Sequence, residues 1–381
     1  MIYFDHNATT PLAPEVLEAM APYLSGCWGN PSSPYRFGNE ARTAVEGARG
    51  RIAGCLGCKP SEVVFTASGT ESDNLAVRGV ACASRLRGNH IVTTTIEHHA
   101  VLNTCKALET DGYRVTYLPV NPAGVVEIEA LAGSLTPETV LVTVMHANNE
   151  TGVIQPVEEI ARIVRERGIV FHVDAVQTAG KLPCRLAELG ADLVSFSGHK
   201  LYGPKGTSAL YVREGTALCP IITGGAHEMG LRAGTENVAG IVGLSVALDF
   251  ALASSQDGCR RLQGLRDRCE SMIRERIPRV RFNGASVARV PNTSSLSFDA
   301  VDGESIVLAL DLAGICVSTG SACSTGEPEP SHVLLAMGLT AREAQGTIRI
   351  SLGRDTRDED IDAVVKNLVD IIDRLRSISS A

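Results

Sequence analysis

Residues 193–206 have the sequence Leu193-Val194-Ser195-Phe196-Ser197-Gly198-His199-Lys200-Leu201-Tyr202-Gly203-Pro204-Lys205-Gly206. The first four predict a buried strand, and the glycines predict a turn that places Lys200 just past its end. Similar apolar runs occur upstream, at 63–65, 91–93, 140–144 and 169–173. Several are apolar on both faces, as expected of parallel strands that helices cover on each side. The sequence therefore predicts an α/β fold with a mostly parallel central sheet.

Helical patterns lie between these strands and continue beyond them. They are predicted near 71–85, 100–111 and 156–167, where Pro156 suits a first helical turn. From residue 236 the pattern changes to one long helical stretch, 236–277, and then to mixed strands and helices ending in an amphipathic helix near 357–376. We therefore predict two domains: a large one over 12–255, and a smaller α+β domain formed by 1–11 and 256–381.

Composition narrows the class of protein and its compartment. The chain has 381 residues, of which 44% are hydrophobic, but no run reaches the roughly 20 apolar residues of a membrane span. A formal charge of -8 with scattered basic residues argues against nucleic-acid binding. Eleven dispersed cysteines and a polar N-terminus predict reduced thiols in the cytoplasm, and a chain that starts near Met1. Cys55 and Cys58 have CxxC spacing, but no partner pair follows, so no metal site is expected.

Polar side chains follow several of the predicted strands, where ligands bind in open parallel sheets. Ser68-Gly69-Thr70 comes after the first strand and opens a helix, which suits either a phosphate site or a simple helix cap. The next strands are followed by Glu97-His98-His99, by His146-Ala147-Asn148-Asn149-Glu150, and by Asp174 with Gln177. Four strands that deliver polar groups to one edge of the sheet indicate a functional site.

Lys200 and Asp174 together indicate pyridoxal 5'-phosphate (PLP) chemistry. A partly desolvated lysine between glycines suits a Schiff-base lysine, because the backbone must approach a flat cofactor closely. An aspartate at the end of a neighbouring strand suits the ring nitrogen of PLP. Cys323 is the one thiol in the small, polar loop at about 318–330. That loop predicts an accessible thiol, but composition alone leaves open whether it reacts.

These segments, spread over almost the whole chain, resemble the cysteine desulfurases of the NifS/IscS group. That group belongs to the class V aminotransferase-like, fold-type I PLP enzymes. The matching segments are Tyr3-Phe4-Asp5-His6-Asn7-Ala8-Thr9-Thr10, Gly29-Asn30-Pro31-Ser32-Ser33, Gly69-Thr70-Glu71-Ser72, His146 to Gly152, the lysine motif, Arg232 to Asn237, the cysteine loop, and Thr347 to Ser351. Ser321-Ala322-Cys323 with the Glu-Pro-Ser-His continuation at 329–332 narrows the resemblance to desulfurases with a long loop.

The resemblance implies a role for each matching residue. Lys200 holds the cofactor, Asp174 pairs with its ring nitrogen, and His98 stacks on the ring and assists proton transfer. Cys323 takes the sulfur. The remaining implied contacts are Gly69, Thr70, Ser197 and His199 at the phosphate, Thr235 at the phosphate from the other subunit of a homodimer, Gln177 at the phenolic oxygen, Asn149 at the ring and substrate, and Arg349 at the substrate carboxylate.

The implied reaction converts L-cysteine to L-alanine and leaves a persulfide on Cys323. An iron–sulfur scaffold, including one for nitrogenase, or another sulfur-cofactor acceptor would then take the sulfur. No resident metal is expected, although Cys323 could contact a nascent iron–sulfur cluster transiently. A selenocysteine lyase or an aminotransferase on the same fold is the alternative, since fold does not fix the reaction. A catalytically inactive binding subunit is disfavoured, because Lys200 and Asp174 are both present.

Overall fold

The computed structural model describes residues 1–182, 189–253, 255–319 and 330–379. Within these ranges the strands are β1 (Ile2–Tyr3), β2 (Val63–Thr66), β3 (His90–Thr94), β4 (Arg114–Leu118), β5 (Thr139–Met145), β6 (Val170–Asp174), β7 (Leu193–Ser197), β8 (Ser208–Val212), β9 (Val280–Phe282), β10 (Thr293–Phe298), β11 (Ile315–Cys316), β12 (Ser318–Thr319) and β13 (Thr347–Ser351). The helices are α1 (Pro14–Ser25), α2 (Arg36–Leu56), α3 (Gly69–Ala83), α4 (His99–Thr110), α5 (Ile128–Ser134), α6 (Val157–Glu166), α7 (Val238–Ala253), α8 (Ser255–Arg276), α9 (Gly303–Leu312), α10 (His332–Ala336), α11 (Ala341–Gln345) and α12 (Asp358–Ser379).

A seven-stranded sheet in the order β2-β8-β7-β6-β5-β3-β4 forms the main scaffold. Its neighbours are parallel except at β8, which pairs antiparallel with both β2 and β7. The sequence identified five of these strands and missed two: β4, where Arg114 and Thr116 interrupt the apolar residues, and β8, which follows the lysine turn without a distinct signal. Because β2 and β7 both run antiparallel to β8, they point the same way as β3, β5 and β6. The carboxyl ends of these five strands therefore meet at one edge.

Helices cover both faces of this sheet, so its strands are apolar on both sides, as predicted. Alternate residues of one strand enter different cores: Val63 and Phe65 pack into one cluster and Val64 into the other. One cluster includes Ile52 of α2 and Leu244 of α7, while the opposite one includes residues of α3 and α4. This arrangement confirms the predicted α/β class.

The predicted single helix over 236–277 is wrong: α7 and α8 are bent by 73° relative to each other. The physical reason is that they serve different cores. Leu244 and Leu248 of α7 lie under the seven-stranded sheet, whereas Cys269 and Ile273 of α8 belong to a third cluster. One straight helix could not reach both cores. Among the described helices none alone is long and apolar enough to cross a membrane; the bent pair passes that test by length and composition only.

A four-stranded antiparallel sheet, β12-β13-β10-β9, forms the centre of the third cluster together with α8, α9 and α12. The first strand of the chain joins this part of the molecule, because Ile2 pairs with Ile315 and Phe4 packs in the same cluster. The predicted last helix corresponds to α12. The domain boundary at 255/256 stays a prediction.

Candidate functional site

A cavity of about 390 Å³ opens at the edge where the five parallel strands end. Residues from the N-terminal segment, the seven-stranded sheet and β13 line it together. The sequence-predicted residues in its lining are Gly69, Thr70, His98, Asn149, Asp174, Gln177, Ser197, His199, Lys200 and Arg349. Thr235 does not line it and is exposed in the single chain. Cys323 lies outside the described residues.

Lys200 lies directly after β7, in a helical turn formed by Gly198–Lys200. Its Nζ donates hydrogen bonds to the backbone oxygens of Asn7 (2.6 Å) and Ala8 (2.7 Å). The turn is compact because Gly203 packs on Gly198, where an added Cβ would lie 2.8 Å from the Gly198 oxygen. The sequence predicted the position of Lys200, but it did not predict that the N-terminal segment would hold the amine.

Asp174 ends β6 and is buried in the cavity wall. Burial raises the pKa of its carboxyl to about 6, although the Val176 N–H (2.9 Å) and the charge of Lys200 act in the opposite direction. Asp73 of α3 lies close by, and burial followed by the charge of Asp174 raises its pKa well above the usual value. The Asp73 Oδ1 has no hydrogen-bond partner among the described residues. Two buried carboxyls at one wall of the cavity favour the binding of a cationic group next to them.

The N-terminus of α3 is capped by a side chain and also faces the cavity. Ser68 caps the helix by accepting a hydrogen bond from Glu71 N–H at 3.1 Å, so the helix-cap interpretation of this segment is confirmed, while the phosphate site stays a prediction. Gly69 and Thr70 begin the helix and line the cavity, and the first amides of a helix have no partner inside it. Gly69 lies close to Val176 and Ser197, where an added Cβ would be 3.0 Å from the Val176 side chain.

Two histidines in the cavity wall are neutral at physiological pH. Burial lowers the pKa of His98 to about 4, helped by the charge of Lys200. The same causes, burial first and then Lys200, lower the pKa of His199 to about 4. His98 caps α4, where its Nδ1 accepts a hydrogen bond from Ala100 N–H at 3.1 Å. The neutral ring therefore carries its proton on Nε2.

Arg349 comes from β13 and lies across the cavity from the large sheet. It donates to Asn149 O at 3.0 Å and pairs with Asp5 at 2.6 Å, while its Nε has no partner among the described residues. Glu150 is also buried here, and burial raises its pKa to about 7. Ser331 donates a 2.5 Å hydrogen bond to Glu150. The Nε is buried, but Nη1 and Nη2 each keep a second N–H, and a fixed guanidinium with such spare N–H groups can bind a carboxylate.

Both flanks of the cysteine-bearing segment lie at this cavity. Ser318 of β12 pairs with Arg349, and Pro330, Ser331 and His332 line the cavity itself. His332 contacts the backbone oxygen of Glu97 at 3.0 Å. The described residues on each side of 320–329 are therefore held next to the other candidate residues.

Sequence reasoning missed several functional candidates. Asn7, Asp73 and Glu150 occur in motifs that were recognised, yet no role followed from the pattern. Lys181 follows a glycine in an otherwise unremarkable segment, and nothing in the sequence signalled that it contacts Gln177 at 2.8 Å. Among the described residues, no cluster of three or more His, Cys, Asp or Glu could hold a metal ion.

Comparison with known proteins gives a consistent result. Residues 2–364 match the aminotransferase class-V family. The chain is 49% identical to a protein named cysteine desulfurase IscS from Dictyoglomus turgidum, over 99% of this chain and 96% of the relative. A solved NifS-like protein has a TM-score of 0.92 at 41% identity, covering 98% of this chain and 99% of its own. A structure titled SspA in complex with cysteine has a TM-score of 0.82 at 39% identity, covering 92% and 99%.

Proposed function

Because this chain belongs to the aminotransferase class-V family and to its cysteine desulfurase group, we propose that it is a PLP-dependent enzyme that converts L-cysteine to L-alanine. The observation that carries this function is the convergence of Lys200, Asp174, His98 and Arg349 on one cavity. In this proposal Cys323 receives the sulfur as a persulfide and passes it to an iron–sulfur scaffold or another sulfur-cofactor acceptor.

The described residues fit PLP. The buried carboxyl of Asp174 suits a protonated ring nitrogen, because burial alone disfavours its charge and a cationic partner would restore it. Gly69, Thr70, Ser197 and His199 suit the phosphate at the start of α3. When bound, PLP supplies an electron sink for the negative charge that develops at the substrate α-carbon.

Lys200 and His98 are placed to move protons. Once its amine is released, Lys200 can remove the proton from the substrate α-carbon, and the backbone oxygens of Asn7 and Ala8 can hold the resulting ammonium as they do in this structure. Neutral His98 can donate a hydrogen bond through its Nε2–H within the same cavity. It passes on a proton only after it has taken one up, because a neutral imidazole does not release its N–H proton near neutral pH.

Arg349 is proposed to orient the substrate. Its contacts with Asp5 and Asn149 fix the guanidinium, and the second N–H groups of Nη1 and Nη2 can face the carboxylate of cysteine. The substrate sulfur would then point toward the flanks of the segment that contains Cys323. The Cys323 thiolate attacks this sulfur; a sulfur–sulfur bond forms as the carbon–sulfur bond breaks. The electron pair stays with carbon, which gains a proton to give alanine.

A homodimer would complete the phosphate site by adding Thr235 from the second subunit. Gly234 N–H donates to His227, which contacts Ser32 at 3.4 Å, so the Thr235 segment adjoins the segment at Ser32, four residues after Trp28 in the chain. Trp28 is 73% exposed and packs on Phe37, with the ring centroids 5.2 Å apart. An exposed aromatic pair suits an interface between subunits. Sedimentation analysis should give twice the 40.2 kDa chain mass; a monomer that binds PLP normally would refute this role of Thr235.

We also propose that the enzyme works in the cytoplasm. Nine cysteines fall within the described residues, and all of them are free thiols. Free thiols at this density suit a reducing compartment. A fusion with a fluorescent protein, imaged in the native cell, would test the location; a signal confined to an oxidising compartment would contradict it.

The test of the reaction uses the PLP-loaded enzyme with L-cysteine and a reductant. Sulfide and alanine should form in equal amounts, whereas an aminotransferase would form no sulfide. Cys323→Ala should abolish both products and keep the visible absorbance of bound PLP. Cys82→Ala, which removes an exposed thiol of α3, is the matched control and should leave activity unchanged. Alanine formation that survives Cys323→Ala would overturn the persulfide step.

A further inference from the structure

Lys181 is a second buried amine beside Lys200, outside every role described so far. Its Nζ donates a 2.8 Å hydrogen bond to Gln177 Oε1 and a 3.2 Å hydrogen bond to Asn7 Oδ1. Asn7 also binds Lys200 through its backbone oxygen at 2.6 Å. One asparagine therefore joins the two lysines, with its side chain on one and its backbone on the other.

The contact with Lys181 fixes which way the Gln177 amide points. Lys181 Nζ donates this hydrogen bond, so the oxygen of the amide faces Lys181. The amide nitrogen then faces away and donates to Asn7 O at 3.1 Å, the same oxygen that accepts from Lys200. The donor end of Gln177 is thus directed to the side of the site where Lys200 lies. A phenolic oxygen on the cofactor would need a donor there.

The electrostatic surroundings of Lys181 are dominated by other cations. Burial lowers its pKa to about 7, and the charges of Lys200 and Arg349 act in the same direction. Burial is also the first cause that lowers the pKa of three nearby histidines to about 4, so these rings are neutral near pH 7: His6, His98 and His199. The charge of Lys200 lowers the pKa of Asp174 at the end of the neighbouring strand, and Asp5 is already paired with Arg349.

We propose that Lys181 is a positioning residue that holds the Gln177 amide with its donor toward the cofactor's phenolic oxygen, and that its ammonium form, while protonated, opposes protonation of the Schiff base on Lys200. The inference rests on the proposed roles of Lys200 and Gln177. Both effects act in the same direction, because a donor at the phenolic oxygen and a nearby cation each favour the unprotonated imine. An unprotonated imine can accept the proton of an incoming substrate ammonium, which leaves the neutral amine that attacks the linkage.

The experiment is a spectrophotometric pH titration of the PLP-loaded enzyme without substrate. Lys181→Met should raise the apparent pKa of the cofactor absorbance change by about one unit, a tenfold gain in proton affinity. Lys205→Met is the matched control. Lys205 is exposed and, like Lys181, its charge lowers the pKa of His199. The hydrogen bond to Gln177, however, comes from Lys181. Lys205→Met should therefore leave the titration unchanged.

Lys181→Gln guards against a variant that fails to fold, because it keeps a donor for the Gln177 oxygen while removing the charge. It should give a smaller upward shift than Lys181→Met. A titration that Lys181→Gln and Lys181→Met both leave at the wild-type value would overturn the inference, as would an equal shift in Lys205→Met. The wild-type enzyme distinguishes a failure of the Lys181 proposal from a failure of the Lys200 proposal. If the wild type shows no titrating absorbance band with PLP, the proposed role of Lys200 is wrong.

Discussion

Glu97 offers a direct test of how burial controls the charge of this site. It is fully buried beside His98, and its Oε1 accepts hydrogen bonds from Thr94 Oγ1 (2.6 Å) and Met145 N–H (3.1 Å). Its Oε2 has no partner among the described residues. Burial raises the pKa of the carboxyl from 4.5 to about 8, despite these two hydrogen bonds. The side chain is therefore protonated in the folded protein at neutral pH.

The raised pKa makes the free energy of unfolding depend on pH. The contribution of Glu97 to the free energy of unfolding is fully present below pH 4.5, where its carboxyl is protonated in both the folded and the unfolded state. This contribution is lost as the pH rises toward about 8. Each unit of this window corresponds to about 1.4 kcal/mol, so about 3 kcal/mol should disappear between pH 5 and pH 8. Glu97→Gln keeps the shape and cannot ionise. Its stability relative to the wild type should therefore rise by about 3 kcal/mol over the same interval.

The assay is urea unfolding of the cofactor-free protein at pH 5, 6, 7 and 8. One protein concentration must be used throughout, because the stability of an oligomer such as the proposed homodimer depends on concentration. Glu166→Gln, at the exposed end of α6, is the matched control and should follow the wild-type curve. If the Glu97→Gln and wild-type curves run parallel over this range, Glu97 is ionised in the fold and the reasoning from burial is wrong.

Two further predictions concern the substrate contact and the lysine turn. Arg349→Lys should raise KM for cysteine at least about tenfold with a smaller change in kcat, because a lysine cannot keep the Asp5 pair and a forked carboxylate contact together; steady-state kinetics with unchanged KM would refute it. Gly203→Ala should lower the thermal midpoint and the PLP content, because its Cβ would meet backbone oxygen of Gly198 at 2.8 Å. Gly54→Ala, with open space in α2, should not lower either quantity, and equal losses in both variants would contradict the steric argument.

Much of the scaffold could be predicted from the sequence because its signals are local. An apolar run followed by Gly198 and Lys200 defines a strand and its end without information from the rest of the chain. Asp174 and Thr70 were found in the same way, because each comes at or after the end of an apolar strand. Parallel strands bring their carboxyl ends to one edge of the sheet. Strand β8 was missed because Ser208–Val212 follows the lysine turn without a distinct signal. The break between α7 and α8 was missed because helical periodicity does not reveal which core each segment contacts.

The chemistry of the site depends on contacts that join distant parts of the chain, and local patterns cannot reveal these. The segment after β1 is the central example: Asp5 pairs with Arg349, and Asn7 binds both Lys200 and Lys181. The strand itself pairs with β11, next to the strand that borders Arg349. The N-terminal segment thus links Arg349, the proposed substrate contact in one core, to Lys200, the proposed cofactor lysine in the other. A change in the relative position of the two cores would alter both contacts at once, so their geometry is coupled through Asp5 to Ala8.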